Sequence, residues 1–320
     1  MLTVINKSVW QCIPVGTVTA APTSKSKMIK TLHNAHSRLY LNQWFTEDTL
    51  IVTDDDVDSR RLKEYIDDAE DPVVVDFSMN SCPLKYIPEF LRQRPILTTE
   101  YQYWYDAPSN LHYFPFWLWM FSLRANFYNS GNWIYDASGR KNTEIMCLNR
   151  NARAHRFMLG LLLGEDIDKV LYTWGGGRLP DDHRNIADVG VANRAYNQCA
   201  VNLVTETEVD VQSLSEKTCK PFVARQIPII VGPVHANQFL TDIGLDMFPD
   251  VVPWHLWDHE HDWLIRVNLV AKFVRHWIQS GTILQDYKTL IPRVEKNKTY
   301  FHSDQFRSTI LKRMPNVNHY

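Results

Sequence analysis

Apolar and polar positions along this chain follow two rhythms. Short, mostly apolar runs recur at Ile145–Leu148, Val170–Thr173, Val201–Val204 and Ile227–Val231. Runs of four or five such residues, closed by polar or glycine positions, predict strands buried on both faces. Similar pieces lie earlier, at Leu2–Asn6, Leu50–Thr53, Val73–Val75 and Ile96–Thr99. Between them the spacing is helical. Lys25–Leu41 carries Met28, Ile29, Leu32, Ala35, Leu39 and Tyr40 on one side, and Arg60–Ala69, Leu84–Leu91 and Phe157–Leu163 read the same way. Asp262–Ile278 has a stripe of Trp263, Leu264, Val267, Val270, Val274, Trp277 and Ile278, and Ser303–Met314 one of Phe306, Ile310, Leu311 and Met314. Strands alternating with helices predict α/β layers around parallel sheets.

At 320 residues the chain suits two domains better than one. Apolar periodicity stops over 127–144, where Asn129-Ser130-Gly131 and Ser138-Gly139 are turn signals. A linker there divides an α/β domain over 1–135 from a second over 136–298, followed by a terminal helical segment, 299–320. Segment 101–121 is crowded with rings, half for a core and the rest for a cleft.

Composition narrows the class. A net charge of −2 argues against a surface coated in phosphate-binding cations, although a local basic groove is compatible with it. Five scattered cysteines without a CxxC pair read as reduced thiols. No signal pattern opens the chain, and the longest apolar run, Tyr113–Phe121, is too short to span a bilayer. The expectation is a soluble, cytoplasmic protein with no membrane insertion.

The candidate chemistry concentrates in residues 201–232, which read as strand, acidic loop, helix and strand. Ser215-Glu216-Lys217-Thr218 opens the helix. A helix start at the carboxyl end of a parallel strand presents N–H groups suited to a phosphate. Lys217 and Lys220 add cations, and the Glu216 carboxylate suits a ribose diol; the bland alternative is an ordinary capping box. Upstream, Asn149-Arg150-Asn151-Ala152-Arg153-Ala154-His155-Arg156 sets three arginines and a histidine between a strand and a helix. Arg150, Arg153 and Arg156 suit a diphosphate, since a guanidinium forks two donors onto it. Gly176 lies in a triple glycine that is either a close backbone approach or a plain turn. Asp76 and Glu100 end strands of the first half and are the two candidate general bases. Asp54-Asp55-Asp56 is either an acidic turn or an Asp-x-Asp metal site, with Asp54 and Asp56 as ligands. His255–Asp262 reads as a surface loop ending in a helix cap at Asp262, with zinc as the alternative; no metal ligand is assigned.

The run "TET…SEKTCKPF…IPIIVG…FLTDIGLDMF" resembles the donor-binding half of GT-B type glycosyltransferases. The likeness is to the fucosyltransferase-like clan and to related enzymes of phages and large viruses, and it covers roughly residues 145–290. It implies two Rossmann-like domains facing a cleft, with a last helix crossing back to the first. It implies a UDP- or GDP-linked sugar held by the Asn149–Arg156 and Ser215–Lys220 motifs, and with the triple glycine the candidate donor-binding residues are Asn149, Arg150, Arg153, Arg156, Gly176, Ser215, Glu216, Lys217, Thr218 and Lys220. No cofactor is required, although a divalent metal is compatible. The leading acceptor is a hydroxymethylated pyrimidine in bacteriophage DNA, modified in the host cytoplasm with inversion at the sugar. A glycan or lipopolysaccharide acceptor, or a metal-dependent GT-A type enzyme, is the alternative.

Overall fold

The structure is a computed structural model that describes residues 3–5, 50–53, 73–77, 96–98, 100–106, 108–113, 115–122, 143–149, 152–173 and 194–311. The protein is α/β, and all its strand pairs among these residues are parallel. Contacts divide the chain into Met1–Phe116 with Leu311–Tyr320, and Trp117–Ile310.

The first unit holds a five-stranded sheet in the order β1 (Thr3–Ile5), β2 (Leu50–Thr53), β3 (Val73–Phe77), β4 (Ile96–Thr98) and β5 (Leu111–Tyr113). All five fall on the apolar runs or, for β5, inside the aromatic segment. Around the end of the sheet Tyr101, Trp104 and Tyr113 are buried, and the last two meet edge to face with centroids 6.1 Å apart. Those rings are core, whereas Tyr105 is exposed. The expected helices at 25–41, 60–69 and 84–91 lie outside the described residues.

The second unit begins in α1 (Phe116–Ser122) and contains a four-stranded sheet. Its strands are β6 (Thr143–Cys147), β7 (Val170–Tyr172), β8 (Cys199–Thr205) and β9 (Ile227–Val231), arranged β7-β6-β8-β9. Every residue of β8 and β9 is buried, which explains why both read as apolar runs without alternation. The helices are α2 (Ala154–Leu163), α3 (Arg194–Gln198), α4 (Glu216–Ala224), α5 (Ala236–Asp242), α6 (Trp263–Ser280), α7 (Ile283–Phe301) and α8 (Asp304–Leu311). α2 packs on α6, and α4 packs on α7.

Local chemistry sets the helix ends. The Asp262 carboxylate accepts the Leu264 and Ile265 N–H groups, so the predicted cap of α6 is present. The helix stops at Gly281, which takes a left-handed φ of 68°. Ser303 Oγ accepts the Phe306 N–H and caps α8. α7 has no counterpart in the sequence reading. Pro292 interrupts its interior, yet Ile283, Tyr287, Leu290, Val294 and Phe301 are buried at helical spacing.

The segment Gly244–Phe248 has a structural task. Asp246 takes two hydrogen bonds from Arg293 of α7, at 2.7 and 2.8 Å, and its backbone exchanges two more with Asn297. Gly244 sits at φ 95°, where a β-carbon would lie 2.6 Å from the Tyr300 hydroxyl. Only glycine fits that backbone against that ring.

Candidate functional site

In the second sheet the strand order reverses between β6 and β8. The crossover from β6 goes to one neighbour, and the chain then returns to build on the other side. Loops leaving β6 and β8 therefore diverge and open a crevice at their carboxyl ends, where open α/β sheets bind ligands. Of the twelve residues assigned a site role, the described ones after β6 and β8 meet here.

Asn149 follows β6 and is buried. Its N–H donates to Thr173 Oγ1 at 2.6 Å, Thr173 Oγ1 donates to the Asn149 carbonyl at 2.9 Å, and Thr205 Oγ1 donates to Asn149 Oδ1. Asn149 thus ties the ends of β7, β6 and β8 together and shapes the crevice from below.

The arginine-rich stretch divides. α2 starts at Ala154, three residues before the apolar residues that announced it, so His155 and Arg156 belong to its first turn. Both are buried. Arg156 donates to the carbonyls of Thr205 at 3.2 Å and Glu206 at 2.9 Å, and His155 Nε2 lies 2.9 Å from the same Glu206 carbonyl. The Thr205 carbonyl ends β8 and that of Glu206 follows it, so the two side chains splice α2 to the neighbouring strand. Arg156 was expected to hold a diphosphate; its guanidinium is instead turned to backbone oxygen. Burial pushes the His155 pKa down to about 4, against the opposing pull of the Glu206 carbonyl, and Arg156 and Arg153 add to the fall. Arg153 differs. It is the extended N-cap of α2, exposed, and pairs with Glu208 at 3.1 Å. Arg150 and Gly176 lie outside the described residues, as do Asp54 and Asp56.

The start of α4 is organised by Glu206, a residue to which the sequence reading gave no role. Its carboxylate is buried and accepts the Ser215 N–H at 3.1 Å, the Thr207 N–H at 3.3 Å, and the hydroxyls of Ser215 and Thr218. One internal anion thus holds the loop after β8 against the helix N-terminus. Such hydrogen bonds to an ionised carboxylate are stronger than neutral ones. Ser215 is the N-cap, accepting the Lys217 N–H at 3.3 Å. The signal for Glu206 was present as Thr-Glu-Thr closing the strand and Ser-x-x-Thr opening the helix, but nothing in sequence joins those two pieces.

Glu216 and Lys217 are half-buried and paired at 2.9 Å, and Lys217 Nζ also donates to Thr207 Oγ1 at 3.0 Å. Burial works to raise the Glu216 pKa, but the ammonium groups of Lys217 and Lys220 outweigh it and hold the carboxyl at about 2. Lys220 is buried, with its ammonium 5.9 Å from the centre of the Tyr196 ring. The rim of the crevice therefore carries Arg153, Glu208, Glu216 and Lys217, with Glu206, Arg156 and His155 beneath.

In the first unit, Asp76 is the fourth residue of β3, in register with Thr53 and Leu97. Glu100 is buried and accepts a 2.7 Å hydrogen bond from Gln102. Among the described residues no group of three or more His, Cys, Asp or Glu side chains is arranged to hold a metal ion, and no helix is long and apolar enough to cross a membrane.

The fold and this crevice define a parallel α/β protein with a charged site at a reversal of strand order. No family model matches the chain, nor does any curated protein or solved structure.

Proposed function

We propose that this chain is a nucleotide-sugar-dependent glycosyltransferase of the GT-B kind, with two Rossmann-like domains facing a cleft. The observation that carries the reading is the convergence of the α2 and α4 N-termini on the β6/β8 reversal, with Arg153, Glu216 and Lys217 on its rim. A helix N-terminus leaves its first N–H groups without intrahelical partners, which suits a diphosphate. Arg153 releases Glu208 cheaply, because a half-exposed ion pair contributes about 1 kcal/mol or less. Glu216, held ionised, accepts from a ribose diol, and Lys217 neutralises the departing phosphate.

In the reaction a carboxylate base removes the acceptor O–H proton as that oxygen bonds to the anomeric carbon. The bond from that carbon to the diphosphate breaks, and the nucleoside diphosphate leaves with the electron pair. Glu100 is buried and accepts from Gln102; Glu100 and Asp76 are the two candidate bases we carry forward, from the first domain. The acceptor we favour is a hydroxymethylated pyrimidine of DNA. The net charge of −2 favours a glycan acceptor as the second reading, because duplex binding gains from cations.

The test is a thermal-shift panel of UDP-, GDP-, ADP- and CMP-sugars, followed by incubation of the responding donor with hydroxymethylated duplex DNA and mass analysis of the digested bases. A donor that raises Tm for the wild type but not for folded Lys217→Ala supports the site. Absence of any response across the panel would sink the glycosyltransferase reading, and a donor response without a base-mass shift would move the acceptor to a glycan.

A further inference from the structure

A second cluster lies after the carboxyl end of β9 and has no part in the proposed sugar chemistry. His235, His259 and His261 come from two loops that the chain brings together. His235 Nδ1 lies 2.9 Å from His259 Nδ1, with ring centroids 4.8 Å apart, and the His261 ring is 6.5 Å from that of His235. His259 and His261 are exposed and His235 is half-buried.

The frame under this pair is built. His235 has a left-handed φ of 64°, and its N–H donates to the Asp258 carbonyl at 2.7 Å. The Asp258 carboxylate is buried and accepts the N–H groups of Asn237 and Gln238, at 2.9 and 2.8 Å, so it caps α5 from outside. Arg266 fixes the other side of the loop, donating to the carbonyls of Glu260 and, at 2.9 Å, Val209. Two imidazole nitrogens thus face each other from anchored backbone.

We propose that His235 and His259 chelate a borderline divalent metal ion, Zn²⁺ or a close relative, through their Nδ1 atoms. Zn–N bonds of about 2.0–2.1 Å at a tetrahedral angle separate two ligand nitrogens by about 3.3 Å, so the pair opens by a few tenths of an ångström while both rings tilt to aim at the ion. Imidazole donors select Zn²⁺, Ni²⁺, Co²⁺ or Cu²⁺ over Mg²⁺ and Ca²⁺. Both Nδ1 atoms ligate only without a proton, so a proton held there shifts to Nε2 or is released on binding. Water completes the shell, and the exposed His261 stands beside the pair. The ion would join the end of β9 to the loop that Arg266 links to the segment after β8.

The test uses the full chain with Zn²⁺ alone by calorimetry, and Co²⁺ alone by visible absorption. The expected result is one ion per chain in the micromolar range, with a rise in Tm. Affinity should fall tenfold or more in His259→Asn and in His235→Asn, a change that suits the left-handed backbone, and less in His261→Asn. Circular dichroism reports whether each variant folds. Absence of binding below about 100 μM, or unchanged affinity in folded His259→Asn, overturns the proposal. So does a thiolate-to-cobalt charge-transfer band, which would place the ion on cysteine.

Discussion

The two sheets of this protein share parallel pairing and differ in one topological respect. In the first, spatial order follows chain order from β1 to β5. Each crossover moves one place in the same direction, so no two consecutive loops diverge. In the second, the order β7-β6-β8-β9 reverses once. The helix after β6, α2, packs on α6, and the helix after β8, α4, packs on α7. The reversal creates a place where two helix N-termini and two loops meet. Similar apolar strands thus give a sheet in simple sequence order in one case and a sheet with a reversal beside charged side chains in the other.

The strongest way to break this contrast is to remove the anion that organises the crevice. Glu206→Ala strands the Ser215 N–H and the Ser215 and Thr218 hydroxyls, and we expect a loss of about 4 kcal/mol in urea unfolding. Hydrogen exchange should quicken in β8 and α4 while β2 and β3 keep their rates. Uniform quickening across both sheets would show that Glu206 does not act locally.

Next in size is an acid effect. The His155 pKa falls from its ordinary 6.5 to about 4 in the folded chain. The unfolded chain therefore binds the proton first, and the stability from keeping His155 neutral, present above pH 6.5, is lost as pH drops toward 4. The depressed Glu216 carboxyl extends the loss from pH 4.5 down to about 2. His155→Gln, whose Nε2 can still reach the Glu206 carbonyl, should flatten the upper part of this profile by about 3 kcal/mol. A stability curve over pH 4–6.5 identical to wild type would contradict the buried neutral role.

A smaller loss, about 1 kcal/mol, is expected for Asp262→Ala, which deletes the α6 cap on the Leu264 and Ile265 N–H groups and should leave donor binding unchanged. The smallest stability change belongs to Glu208→Gln. Its ion pair with Arg153 is half-exposed and contributes about 1 kcal/mol or less. Freed of that competitor, Arg153 should bind a nucleotide sugar a few-fold more tightly, read as a lower Kd. Weaker binding would instead make Glu208 part of the donor site.

Much of the second sheet is legible in the chain because its strands are buried on both faces. Ile227–Val231 is β9 residue for residue, and Val201–Val204 lies within β8. Ser215 and Asp262 announce their helices because capping is local chemistry between a side chain and the next two or three N–H groups. α7 was missed because Pro292 and its charged neighbours mask a stripe that is nonetheless helical in spacing. Within the site, Lys217 was legible as a cation at a helix start. Arg156 and His155 read as a ligand loop because polar residues before an apolar helix usually face water, and these two do not.

What the sequence determined by itself is everything that depends on neighbours a few positions apart: strand runs, helix stripes, caps, and the concentration of charge at two strand-to-helix junctions. Tertiary structure alone decided which charges became internal braces and which stayed on the rim. Arg156 reaches carbonyls about 50 positions away, Glu206 gathers donors nine and twelve positions on, and His235 meets His259 across 24. Such pairings depend on the order of strands in the sheet, and that order is fixed by packing whole layers, a choice that no local run of residues encodes.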